Sequence, residues 1–167
     1  MITVSILTVS DSAVKGARAD VSGPAIRKRC EELGWSVVTT KTVADEQAVI
    51  AAKLLEWSEA ADSALILTTG GTGIAARDVT PEATRAIIDR EIPGLGELMR
   101  SKGLEQTSFA PLSRAVVGTR RNCLIVNLPG SPKGALFSFG VLEPLIPHIV
   151  DLLRGVTEHD NADQVRH

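Results

Sequence analysis

The stretch LILTTGGTGIAARDVTPEAT, residues 65–84, decides how the rest of the chain is interpreted. An uninterrupted apolar run ends in a turn of glycine and threonine, an Arg-Asp pair follows, and Thr80-Pro81 opens a helical pattern. Glycine lets backbone N–H groups approach a ligand closely, and successive N–H groups in such a turn form a concave nest that suits phosphate oxygens. We therefore predict a buried strand, an anion-binding loop and a helix start.

The loop combines phosphate-binding groups with a carboxylate that would repel phosphate. Its candidate phosphate contacts are Thr69, Gly70, Gly71, Thr72 and Gly73, with the two threonines as hydroxyl donors. Asp78 fits beside phosphate only if a cation lies between them, and Mg²⁺ takes one or two carboxylates together with phosphate oxygens. The plainer interpretation is a tight turn with Asp78 capping a helix, because short glycine motifs often match by chance.

Composition narrows the class of protein. The 167 residues suit one domain, which we place at 1–155 with a polar tail at 156–167. A net charge of −2, no long basic run and no Tyr argue against nucleic-acid binding. Cys30 and Cys123 are far apart, which favours free thiols in a reducing compartment. The N-terminus lacks a charged signal segment and no apolar run approaches a membrane span, so we expect a cytoplasmic protein.

Hydrophobic patterning predicts an α/β sandwich, because strands and helices alternate and the third strand is apolar on both faces. Predicted strands cover residues 2–9, 35–43, 62–69, 115–118 and 123–127, the last two being candidates for a hairpin. Predicted helices cover residues 22–33, 46–61, 81–90, 95–101 and 134–153. Ser22 is the expected cap of the first helix, Pro93-Gly94 is expected to break the third, and Pro144 and Pro147 are expected to kink the last.

Four polar turns follow the predicted strands, and ligands of open α/β sheets bind at the carboxyl ends of strands. Besides residues 69–78, these turns supply Ser10, Asp11, Asp45, Asn127, Pro129, Gly130, Ser131 and Lys133. Taken singly, Asp45 is more typical of a helix N-cap, Lys133 and Arg77 of solvated surface charges, and the two serines of turns. Four such turns at one edge nevertheless describe a site.

Two other phosphate motifs fit poorly. Neither glycine turn has the G-x-x-x-x-G-K-[ST] pattern of a Walker A loop. Residues 71–76 nearly match a dinucleotide-binding fingerprint, but residues 77–81 separate them from the helix, and that fingerprint belongs after a first strand. Dinucleotide binding is therefore disfavoured.

The central block TTGGTG with RDVTPEAT resembles the signature of the molybdopterin adenylyltransferases, which include the MogA and MoaB proteins and gephyrin G domains. Weaker blocks in the family's order support it: VSDS at 9–12, DEQ at 45–47, PG at 93–94, LSR at 112–114 and NLPGSPK at 127–133. The resemblance covers about residues 4–150. It implies a three-layer α/β/α sandwich with a mostly parallel sheet, and usually a trimer.

The same resemblance implies that the protein activates molybdopterin with Mg-ATP, releasing pyrophosphate, and contacts other molybdenum cofactor biosynthesis proteins. The family's two functional aspartates fall on Asp45 and Asp78, the expected catalytic and Mg²⁺-binding residues. Phosphate-holding turns fall on residues 70–73 and 130–131, and Ser113 joins the expected substrate contacts. Two alternatives stay open: a non-catalytic pterin- or nucleotide-binding module, and a nucleotidyltransferase with another acceptor.

Overall fold

The computed structural model describes residues 1–156. Their six strands form one sheet in the order β2-β1-β3-β6-β5-β4, with helices on both faces. The strands are β1 Thr3–Val9, β2 Ser36–Val43, β3 Leu65–Thr69, β4 Arg90–Glu91, β5 Val117–Arg120 and β6 Cys123–Leu128. The helices are α1 Asp11–Val14, α2 Ser22–Glu32, α3 Gln47–Glu59, α4 Thr80–Arg85, α5 Pro93–Gly103, α6 Pro132–Leu142 and α7 Ile146–Leu153, with a 3₁₀ turn at Ala110–Leu112.

The sheet is parallel where its strands are apolar on both faces. β1 pairs in parallel with β2 and β3, and β3 pairs in parallel with β6, with Leu65 opposite Leu124. β5 and β6 form the predicted antiparallel hairpin, whose turn places Arg121 at φ 50°. Parallel strands need crossover helices on the faces, so β1, β3 and β6 all end at the same edge.

Two apolar layers confirm the three-layer α/β/α sandwich. On one face, α2, α5, α6 and α7 pack on the sheet through a cluster that includes Ile26, Met99 and Phe139. On the other face, α3 and α4 pack through a smaller cluster that includes Ile50 and Ala83. Each layer of helices removes one apolar face of the sheet from water, and burial of apolar surface is the dominant favourable term in folding.

Several predicted boundaries were wrong for local reasons. The helix expected over 81–90 ends at Arg85, because residues 90–91 join the sheet as β4. Pro93 does not break a helix but lies in the first turn of α5, where proline is well tolerated. The kink expected from Pro144 and Pro147, in contrast, is confirmed: the helix predicted over 134–153 is two helices bent by 62°, with Pro144 in the connection between them.

The cap of α2 also differs from the prediction. Asp20, two residues upstream of Ser22, accepts hydrogen bonds from the N–H of Gly23 at 3.0 Å and from the Thr8 hydroxyl at 2.7 Å. Aspartate therefore satisfies the helix start and ties it to β1. The prediction for residues 156–167 falls, apart from exposed Val156, outside the described residues.

The structure also describes the two cysteines and the lengths of the apolar helices. Cys30 and Cys123 are buried free thiols, and burial raises the pKa of each to about 12. Among residues 1–156 no single helix is long and apolar enough to span a membrane; α6 and α7 reach that length only together, across their bend.

Asn127 lies inside the sheet, where its side chain is fully buried. Its amide NH₂ donates to the hydroxyls of Thr68 at 3.1 Å and Thr84 at 2.9 Å, and its carbonyl accepts from the N–H of Val116 at 3.1 Å. The amide therefore joins β6 to β3, α4 and the segment before β5. The prediction of Asn127 as a nucleotide contact gives way to a structural role, because its polar atoms are already engaged.

We expect Asn127→Ala to lower the free energy of unfolding by about 2–3 kcal/mol, because it leaves buried donors and acceptors without partners. Urea unfolding measures this change. Asn122→Ala, in the exposed hairpin turn of the same strand pair, is the matched control and should shift stability by less than about 0.5 kcal/mol. Equal effects of the two substitutions would contradict the structural role.

Candidate active site

A polar cleft of about 770 Å³ opens at the carboxyl ends of β1, β3 and β6. The predicted residues that line it are Ser10, Asp11, Asp45, Thr69, Gly70, Gly71, Asp78, Gly130 and Ser131. They come from all four predicted turns, so the parallel sheet brings them to one place. Asp78 and Gly130 border the same cleft, although 52 positions in the sequence separate them.

The two glycine turns touch through their backbones. Gly70 has φ +101°, and a Cβ built on it would lie 2.2 Å from the carbonyl oxygen of Val9. A Cβ on Gly130 would lie 3.3 Å from the Cα of Gly70. Any larger residue at position 70 would push the β1 and β3 ends apart, so glycine here is required by close approach as well as by its positive φ.

Asp11 and Asp45 hold each other through backbone N–H groups. The N–H of Asp11 donates to Asp45 Oδ2 at 2.8 Å, and the N–H of Asp45 donates to Asp11 Oδ1 at 3.0 Å. This reciprocal pair locks the turn after β1 to the turn after β2. The N-cap interpretation of Asp45 is wrong, because Glu46 occupies the N-cap of α3 and makes no side-chain cap bond.

Arg77 crosses from the central loop to this aspartate pair. Its guanidinium donates from Nε to Asp11 Oδ2 at 2.5 Å and from Nη2 to Asp11 Oδ1 at 3.1 Å. The side chain is 61% exposed, as the surface interpretation expected, yet its charge is committed to the cleft. Arg77 therefore neutralises Asp11. The carboxylates of Asp45 and Asp78 form no ion pair of their own among the described residues.

The pKa values of the neighbouring Asp11 and Asp45 are shifted in opposite directions. The hydrogen bond from Arg77, followed by that from the Asp45 backbone, lowers the pKa of Asp11. Burial raises the pKa of Asp45, and the charges of Asp11 and Asp78 raise it further, against the N–H of Asp11. Asp45 is thus a carboxylate whose charge the fold itself disfavours and whose ionised form a bound cation would stabilise.

Asp78 uses one carboxylate oxygen to shape its own loop. Asp78 Oδ2 accepts from the N–H of Ala75 at 3.0 Å, and a Cβ on Gly73 would lie 2.7 Å from the same oxygen. No hydrogen bond is recorded within residues 1–156 for Asp78 Oδ1 or Asp45 Oδ1. Two carboxylates with one free oxygen each fit Mg²⁺, which draws its remaining ligands from phosphate and water.

Across the described residues, no group of three or more His, Cys, Asp or Glu side chains could by itself hold a metal ion.

Ser10 and Ser131 both cap helices, as the turn interpretation expected. Ser10 Oγ accepts from the N–H of Ala13 at 3.2 Å at the start of α1, and Ser131 Oγ accepts from the N–H of Gly134 at 3.1 Å at the start of α6. A capping hydroxyl keeps its own proton for donation. Ser131 thus presents an O–H at the N-terminus of an 11-residue helix, which favours anions.

A second, more apolar pocket of about 360 Å³ adjoins the cleft and shares Ser131 with it. Ser113, Pro129 and Lys133, which the sequence predicted as substrate contacts, line this pocket and not the cleft. Its other walls include Met99, Phe109 and Phe137, which sequence analysis did not single out. Apolar side chains carry no chemical signature in a sequence, so only the fold could place them here.

Three predicted phosphate contacts are engaged within the fold or lie away from the cleft. The Thr69 hydroxyl donates to the carbonyl of Pro129 at 2.7 Å, so it ties the two glycine turns together and is not a free phosphate donor. Thr72 is buried and, with Gly73, lies outside both pockets. Sequence analysis missed Arg18 and Asp20, which line the cleft from the segment between α1 and α2. No spacing pattern there could have identified them.

Comparison with known proteins agrees with this geometry. Residues 5–148 match the family described as "Probable molybdopterin binding domain". The chain is 41% identical over 156 residues to the molybdopterin adenylyltransferase of Helicobacter pylori strain J99, covering 92% of this chain and 89% of that protein. It is 44% identical over 136 residues to the Escherichia coli K12 molybdopterin adenylyltransferase, covering 78% and 68%.

Relatives extend to a longer protein and to solved structures. The chain is 40% identical to the molybdenum cofactor synthesis protein cinnamon of Drosophila melanogaster, but spans only 26% of its length. The crystal structure of the molybdopterin biosynthesis enzyme MoaB from Thermus thermophilus superposes with a TM-score of 0.87 at 48% identity, covering 93% of this chain and 98% of that one. Fold, motif order and sequence identity agree, and the chain belongs to the molybdopterin-binding family of molybdenum cofactor biosynthesis proteins.

Proposed function

We propose that this protein is a molybdopterin adenylyltransferase, which transfers the adenylyl group of Mg-ATP to molybdopterin and releases pyrophosphate. The observation that carries the proposal is the polar cleft itself, where two glycine turns and the Asp45–Asp78 carboxylate pair meet beside an apolar pocket. The adenylyltransferases of Helicobacter pylori and Escherichia coli, at 41% and 44% identity, support the same reaction.

The reaction joins two substrates, and the site offers two adjoining cavities. The polar cleft suits a triphosphate, because it is lined by Gly70, Gly71 and Gly130 of the two glycine turns and by Ser131 at the N-terminus of α6, where anions are favoured. The apolar pocket, lined by Phe109 and Phe137, suits a planar heterocycle, and Ser131 and Lys133 place an O–H and a positive charge at its border. Because Ser131 lines both cavities, we expect the phosphates of the two substrates to meet beside it.

Chemistry needs little covalent participation by the protein. A phosphate oxygen of molybdopterin attacks the α-phosphorus of ATP in line, a new P–O–P bond forms, and the bond to the leaving pyrophosphate breaks. Positioning and charge stabilisation therefore account for catalysis. Ser131 and the glycine turns orient the phosphates, Arg77 keeps Asp11 out of the reaction by neutralising it, and no His or Cys nucleophile is required.

The carboxylates of Asp45 and Asp78 would hold Mg²⁺ through their free Oδ1 atoms. When bound, the ion supplies charge that offsets the phosphate oxygens and screens them from the two aspartates. Asp11 N–H and Ala75 N–H fix the other oxygen of each carboxylate, which sets the direction of the free ones.

We further propose a homotrimer in the cytoplasm, on the ground of the family resemblance. Analytical ultracentrifugation measures the assembly directly, and a monomer at micromolar concentration would contradict it. A binding module without catalysis remains the competing class of function, and the retained aspartate pair is the feature that favours the enzyme.

The direct test is pyrophosphate release from Mg-ATP that depends on molybdopterin. We expect Asp78→Asn to lower turnover by a factor of about 100 or more with little change in molybdopterin affinity, because charge stabilisation acts mainly in the transition state. Asp62→Asn, an exposed carboxylate before β3 at the opposite end of the sheet, should leave turnover unchanged. Substrate binding without any pyrophosphate release by the wild type would favour the binding module.

The raised pKa of Asp45 predicts that this residue costs stability when no cation is present. The folded state binds the Asp45 proton more tightly than the unfolded chain does, in which the pKa of this carboxyl is near 3.8. Protonated Asp45 therefore favours the folded state at low pH, and this contribution to the free energy of unfolding is lost as the pH rises through the raised pKa. Asp45→Asn should therefore raise the Tm of the metal-free protein at pH 7 by roughly 1–3 °C while abolishing most activity.

Asp11→Asn, at a neighbouring position, should change the Tm in the opposite direction. The pKa of Asp11 is lowered, so its charge stabilises the fold above the unfolded pKa and the variant should have a lower Tm at pH 7. Thermal melts in EDTA at pH 7 and pH 4 measure both changes, and each difference should shrink at the lower pH. A lower Tm for Asp45→Asn at pH 7 would contradict the assigned burial penalty.

A further inference from the structure

Arg114 makes four hydrogen bonds to the central loop and the helix that follows it. Its backbone N–H donates to the carbonyl of Thr72 at 2.8 Å. From the guanidinium, Nε donates to the carbonyl of Gly73 at 2.8 Å, Nη2 to the carbonyl of Asp78 at 2.6 Å, and Nη1 to the carboxylate of Glu82. Sequence analysis singled out its neighbour Ser113 and assigned no role to Arg114.

These contacts hold the two ends of an exposed loop. Residues 74–77 of this loop are exposed, and Ile74 is 71% exposed. Gly73 and Asp78 lie at its two ends, and the Arg114 guanidinium binds the carbonyls of both. Within this segment, the Asp78 N–H donates to the Ala75 carbonyl at 3.0 Å and the Ala75 N–H donates to Asp78 Oδ2 at 3.0 Å; the Arg77 side chain reaches outward to Asp11.

Glu82 anchors the remaining nitrogen of the guanidinium to α4. Burial raises the pKa of Glu82, but the hydrogen bond and charge of Arg114, together with a backbone hydrogen bond and the charge of Arg85, lower it on balance. The arginine is thereby fixed between the loop and the first turn of the helix. A planar fork with fixed angles can hold three separate acceptors, whereas the single ammonium of lysine cannot reproduce that geometry.

We propose that Arg114 is a positioning residue, which holds the loop between Gly73 and Asp78 closed so that the Asp78 carboxylate faces the cleft in its metal-binding orientation. It acts through the Asp78 backbone and touches neither substrate nor metal. This inference rests on the proposed function for its catalytic consequence, but its structural consequence can be measured without any reaction.

The test compares Arg114→Lys with Arg120→Lys. Arg120 is the matched control, because it also holds a carbonyl, that of Ile87, and carboxylates, those of Asp89 and Glu59, but does so at the far end of β5. Amide hydrogen exchange of the metal-free protein is the first readout. In Arg114→Lys, exchange at Ala75 and Asp78 should become about tenfold faster, while exchange in β3 and β6 stays as in the wild type.

The second readout is the Mg²⁺ dependence of molybdopterin-dependent pyrophosphate release. We expect Arg114→Lys to raise the Mg²⁺ concentration for half-maximal rate by about tenfold or more, as is usual when residues that orient a metal ligand are lost. Arg120→Lys should change neither readout. If Arg114→Lys fails to fold, Glu82→Gln releases one corner of the fork and should shift both readouts in the same direction by a smaller factor.

The outcomes separate this inference from the proposed function. Unchanged exchange at Ala75 and Asp78, or a lower Tm with an unchanged Mg²⁺ dependence, would overturn the positioning role. A wild type without adenylyl transfer would overturn the proposed function alone, because the exchange measurement still decides whether Arg114 holds the loop.

Discussion

The site depends on close backbone approach between the ends of parallel strands. Gly70 lies against the Val9 carbonyl on one side and against Gly130 on the other, and its N–H donates to the carbonyl of Leu128 at 3.1 Å. These contacts bring the turns after β1, β3 and β6 within one cleft. Without them the glycine turns and the aspartates would belong to separate surface loops.

Charge within the cleft is distributed unevenly. Three aspartates line it; Arg77 neutralises Asp11, while Asp45 and Asp78 each use only one carboxylate oxygen in a hydrogen bond within residues 1–156. Burial works against ionised Asp45, a cost of the kind that natural proteins often accept at functional positions. A divalent ion arriving with a nucleotide would relieve that repulsion.

Most of the architecture could be predicted from residue patterns, because apolar runs and glycine turns report directly on burial and backbone geometry. The errors came where tertiary contacts override local preference. α4 stops at Arg85 because β4 joins β5. The start of α2 is held by the side chain of Asp20, which also accepts from the Thr8 hydroxyl, and not by Ser22. Asn127 looked like a ligand contact from its place after a strand, yet its neighbours in space are buried hydroxyls.

The sequence by itself determined the α/β class, the loop after β3 and the four polar turns, since each depends on residues adjacent in the chain. It also carried the family's motifs in their order. Only the tertiary structure decided that Ser113 and Lys133 border a separate apolar pocket, that Arg77 binds Asp11, and that Arg114 braces the loop of Asp78. The two hydrogen-bonded pairs, Arg77–Asp11 and Arg114–Asp78, join residues 66 and 36 positions apart, and the pocket is lined by residues of different elements. No local periodicity in a sequence encodes such contacts.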